Sequence, residues 1–164
     1  MEREEMRCPT CDRSELIESV ENYHYRECGL ENITLSGITV RKCPECGVVM
    51  PKIRNIEGLH DCIAKFLVKK EERLLAPEIV FLRKSLGWSS SDLAKNLQID
   101  KTQVSKWEHG RVEMSKSNEL LFREIIARGK KIMDYHREGA ARKAATVLRL
   151  FVEMGQDREW KLAA

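Results

Sequence analysis

Two short repeats, CPTC at residues 8–11 and CPEC at 43–46, hold four of the chain's six cysteines, with 31 residues between them. Paired cysteines serve as disulfides, as dithiol redox centres or as metal ligands. A disulfide framework needs an oxidising compartment. The opening MEREEMRC is acidic and polar, unlike a secretory signal, and the expected compartment is the cytoplasm. A thioredoxin-like CxxC opens a helix within a βαβ unit, whereas here two matching motifs sit among short strand-like runs. A metal accounts for both motifs together. Each CPxC turn points two thiolates the same way, and two turns close a tetrahedral cage. Four thiolates leave no open coordination position. The expected cofactor is therefore one structural Zn2+ per chain, held by Cys8, Cys11, Cys43 and Cys46. Such binding is worth on the order of 10 kcal/mol, enough to decide whether about 50 residues with a thin core fold. Cys28, Cys62 and His60 are scattered and are left without a role.

The elements that must position these thiols are short. ENYHYREC (21–28) alternates Tyr23 and Tyr25 with polar residues, and NITLSGITVRKC (32–43) carries Ile33/Leu35 and Ile38/Val40 around Ser36-Gly37. Both are strand and turn signals. Leu59, Ile63, Phe66 and Leu67 then recur at helical spacing and lead into a charged connector. From Pro77, a residue tolerated in a helix's first turn, the pattern is helical almost to the end, with breaks at Gly87, Gly110, Gly129 and Gly139. The expected divisions are a metal module at 1–56, a helix and connector at 57–76, a helical DNA-binding domain at 77–127 and a helical extension at 128–164. The fold class is α+β, mainly α: a small zinc-bound β module, five helices, and an extra C-terminal helix.

Residues 77–127 carry a second chemistry. Ser89 reads as the N-cap of one helix, with Asp92 three residues on as its capping-box partner. Ala94 is small where helices cross, Ile99 fills a turn, Asp100 caps the next helix, and Gly110 ends it. In that last helix Val104 and Trp107 face a core, leaving Lys101, Thr102, Gln103 and Lys106 on the opposite face. Lys can read guanine O6/N7 in a major groove, and Gln or Thr can read other base edges. Ser89, Ser90 and Arg111 are further DNA-contact candidates.

The stretch FLRKSLGWSSSDLAKNLQIDKTQVSKWEHG resembles the XRE/Cro/CI-type helix-turn-helix family. The resemblance implies a five-helix domain, usually a homodimer on a palindromic double-stranded operator. It also implies a structural ion pair matching Arg83 and Glu108, and base readers matching Lys101, Thr102 and Lys106. Two positions depart from the pattern: Ser90 stands where a phosphate-contacting Gln is common, and Gln98 where a Gly is usual. With the CPxC module in front, residues 6 to about 127 resemble the MqsA-type antitoxins, whose first half is a YgiT-type zinc finger. That resemblance implies a zinc module that masks a small toxin, usually an RNase, and a C-terminal domain that dimerises and represses the operon. The family's base-reading Asn and Arg match Thr102 and Lys106, which implies a different DNA code.

The charge is divided accordingly. Residues 1–72 carry 11 Lys/Arg against 14 Asp/Glu, and residues 73–164 carry 18 against 12. A basic back half is compatible with phosphate backbones, although ordinary surface charge would look similar. No apolar run approaches the roughly 20 residues that span a bilayer, so no membrane partner is expected. In the tail, Ile132, Met133, Val147, Leu148, Leu150 and Phe151 predict amphipathic helices. No paired carboxylates, Ser/His/Asp set or phosphate-cradling Gly loop points to an enzyme. The leading expectation is an antitoxin that represses its own operon. The alternatives are a stand-alone regulator of phage or mobile-element origin and, further off, a CxxC redox sensor.

Overall fold

A computed structural model describes residues 6–163. Strands β1 (Ile17–His24), β2 (Ile33–Lys42) and β3 (Val49–Pro51) are followed by helices α1 (Ile56–Lys69), α2 (Ala76–Ser85), α3 (Ser90–Leu97), α4 (Lys101–Glu108) and α5 (Lys116–Gly129). Two further strands, β4 (Leu150–Met154) and β5 (Trp160–Leu162), end the described chain. Among the described residues the architecture is α+β: five helices and one five-stranded sheet that begins beside the cysteine turns. No helix among these residues is long and apolar enough to cross a membrane.

Ser36-Gly37, which reads as a turn, is a bulge inside β2. Gly37 is left-handed at φ 62°. The register against β1 slips there: Ile38 faces Glu21, but Leu35 faces Tyr23. From Leu35 to Ile38 is three residues rather than two, which would turn the second apolar pair to solvent in a regular strand. The bulge absorbs the extra residue, so Ile33, Leu35, Ile38 and Val40 are all buried. Asn22 accepts the Gly37 N–H at 3.1 Å and holds the bulge.

The tail is not helical as its pattern predicts. β4 pairs parallel with Ile33–Ser36 of β2, and β5 turns back antiparallel onto β4. β1 covers one edge of β2 throughout, so β4 and β3 share the other. The relevant period is two: Leu150 and Val152 are buried while Phe151 points out at 46% exposure. Met133 and Val147, which the pattern predicts on amphipathic helices, are 91% and 66% exposed. Trp160 locks the hairpin down, its indole N–H donating to the carbonyls of Arg54 and Asn55 at 2.9 and 3.1 Å.

α1 joins sheet to helices. Leu59, Ile63, Leu67 and Val68 on its buried face belong to one continuous core running from Tyr25 and β2 to Phe122 and Ile126 of α5. Tyr25 donates to or accepts from His60 Nε2 at 2.9 Å, and the His60 ring stands edge-on to Phe81 of α2 at 5.6 Å. Burial pushes the Tyr25 phenol up to about 12 and holds His60 below its usual value, so neutral groups meet here.

The far end of α1 is fixed by charge. Arg123 of α5 is fully buried, and all five of its N–H donors are used. They reach the carbonyls of Val68, Lys70 and Glu72 and the Glu119 carboxylate. Glu119, equally buried, also accepts from Arg73 at 2.5 Å and from the Leu74 N–H at 2.9 Å. Lys70 pairs with the buried Glu78 of α2 at 2.6 Å. Removing one member of such a set leaves an uncompensated charge in the core. Glu119→Gln is expected to cost about 3–5 kcal/mol, read as a lowered urea midpoint, with metal content unchanged.

Candidate metal centre and nucleic-acid interface

The four paired cysteines converge on one point. Their Sγ atoms all lie within 4.8 Å of one another. Cys8 and Cys46 are 3.6 Å apart, as are Cys11 and Cys43. Ligands about 2.3 Å from a tetrahedral ion lie about 3.8 Å from one another, so the thiols are placed as a closed four-thiolate set for an ion such as Zn2+. The two turns that carry them are alike. The Asp12 N–H donates to the Cys8 carbonyl at 2.9 Å, and the Gly47 N–H to the Cys43 carbonyl at 3.0 Å. Both Asp12 and Gly47 are left-handed, at φ 52° and 73°. Asp12, a less obvious fit in the sequence, plays the role Gly47 plays in the second turn.

Ser14 is a partner that spacing alone does not reveal. Its Oγ lies 3.2 Å from Cys43 Sγ, and the Cys46 N–H donates to the same sulfur at 3.4 Å. These two donors, Ser14 foremost, bring the Cys43 thiol down to about 6 and favour the thiolate that ligation needs. Cys8 and Cys43 are buried; Cys46 is exposed. No second group of three or more potential metal ligands occurs among the described residues. Cys28 and Cys62 are half-buried free thiols, both raised by burial, and His60 is occupied by Tyr25.

The other candidates gather around α4. Ser89 caps α3 by accepting the Asp92 N–H, and Asp100 caps α4 by accepting the Thr102 N–H. Gln98, between the two helices, is left-handed at φ 54°, the conformation that Gly adopts without strain. Lys101, Thr102, Lys106 and Arg111 are exposed and Gln103 half-buried, while Val104 and Trp107 are in the core. Beneath α4, Arg83 Nε donates to Glu108 at 2.5 Å and its Nη1 to the Trp88 carbonyl at 2.6 Å. Ser90 donates to the other Glu108 oxygen at 2.9 Å, and Ser89 to Asp92 at 2.7 Å. Both hydroxyls are thus engaged within the protein, and Glu108 ties α2, α3 and α4 together.

Because four ligands share one ion, losing one should release it. Cys43→Ser is expected to abolish stoichiometric metal by elemental analysis. The lost binding energy, on the order of 10 kcal/mol, should remove amide protection from β1–β3 while α2–α5 keep theirs. Full metal occupancy with an unchanged exchange profile would count against the cage.

No curated protein and no solved structure matches the chain. The family model described as the antitoxin component of a bacterial toxin-antitoxin system, MqsA, matches residues 6–138. That span takes in both cysteine turns and all five helices and stops before β4. The chain therefore belongs to the MqsA antitoxin family.

Proposed function

We propose that this chain is the antitoxin of a two-component pair, and that it regulates rather than catalyses. In this reading it acts in the cytoplasm as a sequence-specific DNA-binding repressor of its own operon. Residues 1–56, folded around one structural Zn2+, neutralise a small RNase-like toxin. Residues 57–76 connect them to a helix-turn-helix domain at 77–127, which binds a palindromic operator as a homodimer.

The observation that carries the DNA half is the α3–α4 pair. Two capped helices are separated by a three-residue turn, Gln98 to Asp100, and are braced from below by Arg83, Ser90 and Glu108. The brace leaves Lys101, Thr102 and Lys106 pointing outward on a short helix sized for a major groove. Lys106 would read a guanine, with Thr102 and Gln103 on neighbouring base edges. Lys101 would read a base edge as well, and Arg111 would meet phosphate. Ser89 and Ser90 would reach phosphate only by giving up their present partners, so they are weak contacts in this scheme. The metal is a folding device: a closed thiolate set offers no site for substrate or water.

Lys106→Ala should cost about 1–3 kcal/mol of operator affinity and relax the preference at one base pair. Binding-site selection checks this; equal losses on specific and unrelated DNA would reduce Lys106 to a phosphate contact. Operator affinity should also fall linearly with the logarithm of salt concentration, as counterions are released. The partner is tested by co-expression with the small gene adjoining this one. Growth arrest by the neighbour alone, relieved by a stable complex with this chain, supports the antitoxin reading. A harmless neighbour that fails to co-purify would sink it.

A further inference from the structure

The strands that close the sheet also create a cavity. Trp160 and Leu162 of β5 and Phe66 of α1 wall a groove of about 380 Å³. That is toward the lower end of the range of small-molecule sites, about 300–1,000 Å³. The groove is pre-formed, because the Trp160 indole is pinned by two carbonyls and only 7% exposed. Among the described residues no acidic side chain lines it, while Lys65 and Lys69 from α1 and Lys161 from β5 do. Lys70 lines it too, but its ammonium is turned away to Glu78. All three wall and rim residues from β5 lie beyond residue 138, so one side of the groove is built outside the matched family region while its α1 side lies within it.

We propose that this groove binds an anionic amphiphile: a small molecule with an apolar body and one carboxylate, sulfonate or phosphate headgroup. The body would sit against Phe66, Trp160 and Leu162, where removing apolar surface from water drives binding. The headgroup would meet the lysines. A carboxylate already occupies them in part: Asp134 lies 2.6 Å from Lys69 Nζ and 3.6 Å from Lys65 Nζ. That pairing is roughly half exposed on both sides, so it is screened and readily exchanged. Asp134 is thus a built-in competitor for the ligand's charge. The arrangement selects against neutral amphiphiles, which gain the apolar contact but no ammonium partner.

The test uses the full-length, metal-loaded protein and anilinonaphthalene sulfonate, an anionic aromatic probe, in competition with decanoate or decanol. Saturable binding at one site per chain is expected, with decanoate displacing the probe about tenfold more effectively than decanol. Leu162→Glu, at an exposed position, should weaken the probe about tenfold with metal content and circular dichroism unchanged. Asp134→Asn should tighten it several-fold by freeing the lysines, a gain that general loosening of the fold would not produce selectively for anions. Equal displacement by decanol, or affinities that neither variant moves, would overturn the proposal. So would absence of saturable binding; if Leu162→Glu then changed the sedimentation behaviour, the face would be an interface between copies instead.

Discussion

The buried guanidinium of Arg123 is the constraint on which the relation between the two halves depends. A helix leaves its last carbonyls without partners, and at the end of α1 a side chain from α5, over fifty residues away, supplies donors to Val68 and Lys70. A charge in the core is tolerated only when it is paired and fully hydrogen-bonded, and Glu119 completes both conditions. The direction in which α1 leaves the helical bundle is therefore set by directional bonds rather than by apolar contact alone. Because α1 carries the sheet on its other side, the cysteine turns and the outward face of α4 are held in one frame.

The two ends of that frame are stabilised differently. Near the cysteines there is little apolar surface, β1 is largely exposed, and cohesion falls to the four thiols and the bulge that turns Leu35 and Ile38 to one side. Around α4 the packing is conventional, with Val104 and Trp107 in the core and Glu108 bonded to Arg83 and Ser90 beneath it. Between them the contact of Tyr25, His60 and Phe81 is aromatic and uncharged. A neutral joint there matters, because a charged imidazole wedged between sheet and helices would need a partner that the site does not offer.

Much of this was legible from local rules. The CPxC repeats announced a shared ligand set by type and spacing. Ser89, Asp92, Asp100 and Gly110 marked helix ends because capping is a property of a few adjacent residues. What escaped depends on distance along the chain. β4 pairs with a strand more than a hundred residues earlier, as the Asn32 bond to the Leu148 carbonyl illustrates. Its run Leu150-Phe151-Val152 is short enough to read as helix or strand, though the Gly155 and Asp157 that follow are turn residues. Arg123 and Glu119 look like ordinary charges on an amphipathic helix, and only the position of α1 explains their burial. Ser14 near Cys43 follows from the fold of the turn rather than from any spacing.

The parallel pairing of β2 with β4 bears on how the molecule is made. Chains emerge from the ribosome N-terminus first, so both cysteine turns and β1–β3 are available to capture metal long before residues 150–154 exist. Through all of that interval the Ile33–Ser36 edge of β2 has no strand beside it, and an unpaired edge is a template for other chains. Contacts of such long sequence separation also form slowly. The nascent protein therefore passes through a stage in which all four paired cysteines are present and its sheet is not complete, and that stage lasts at least as long as translation of the five helices.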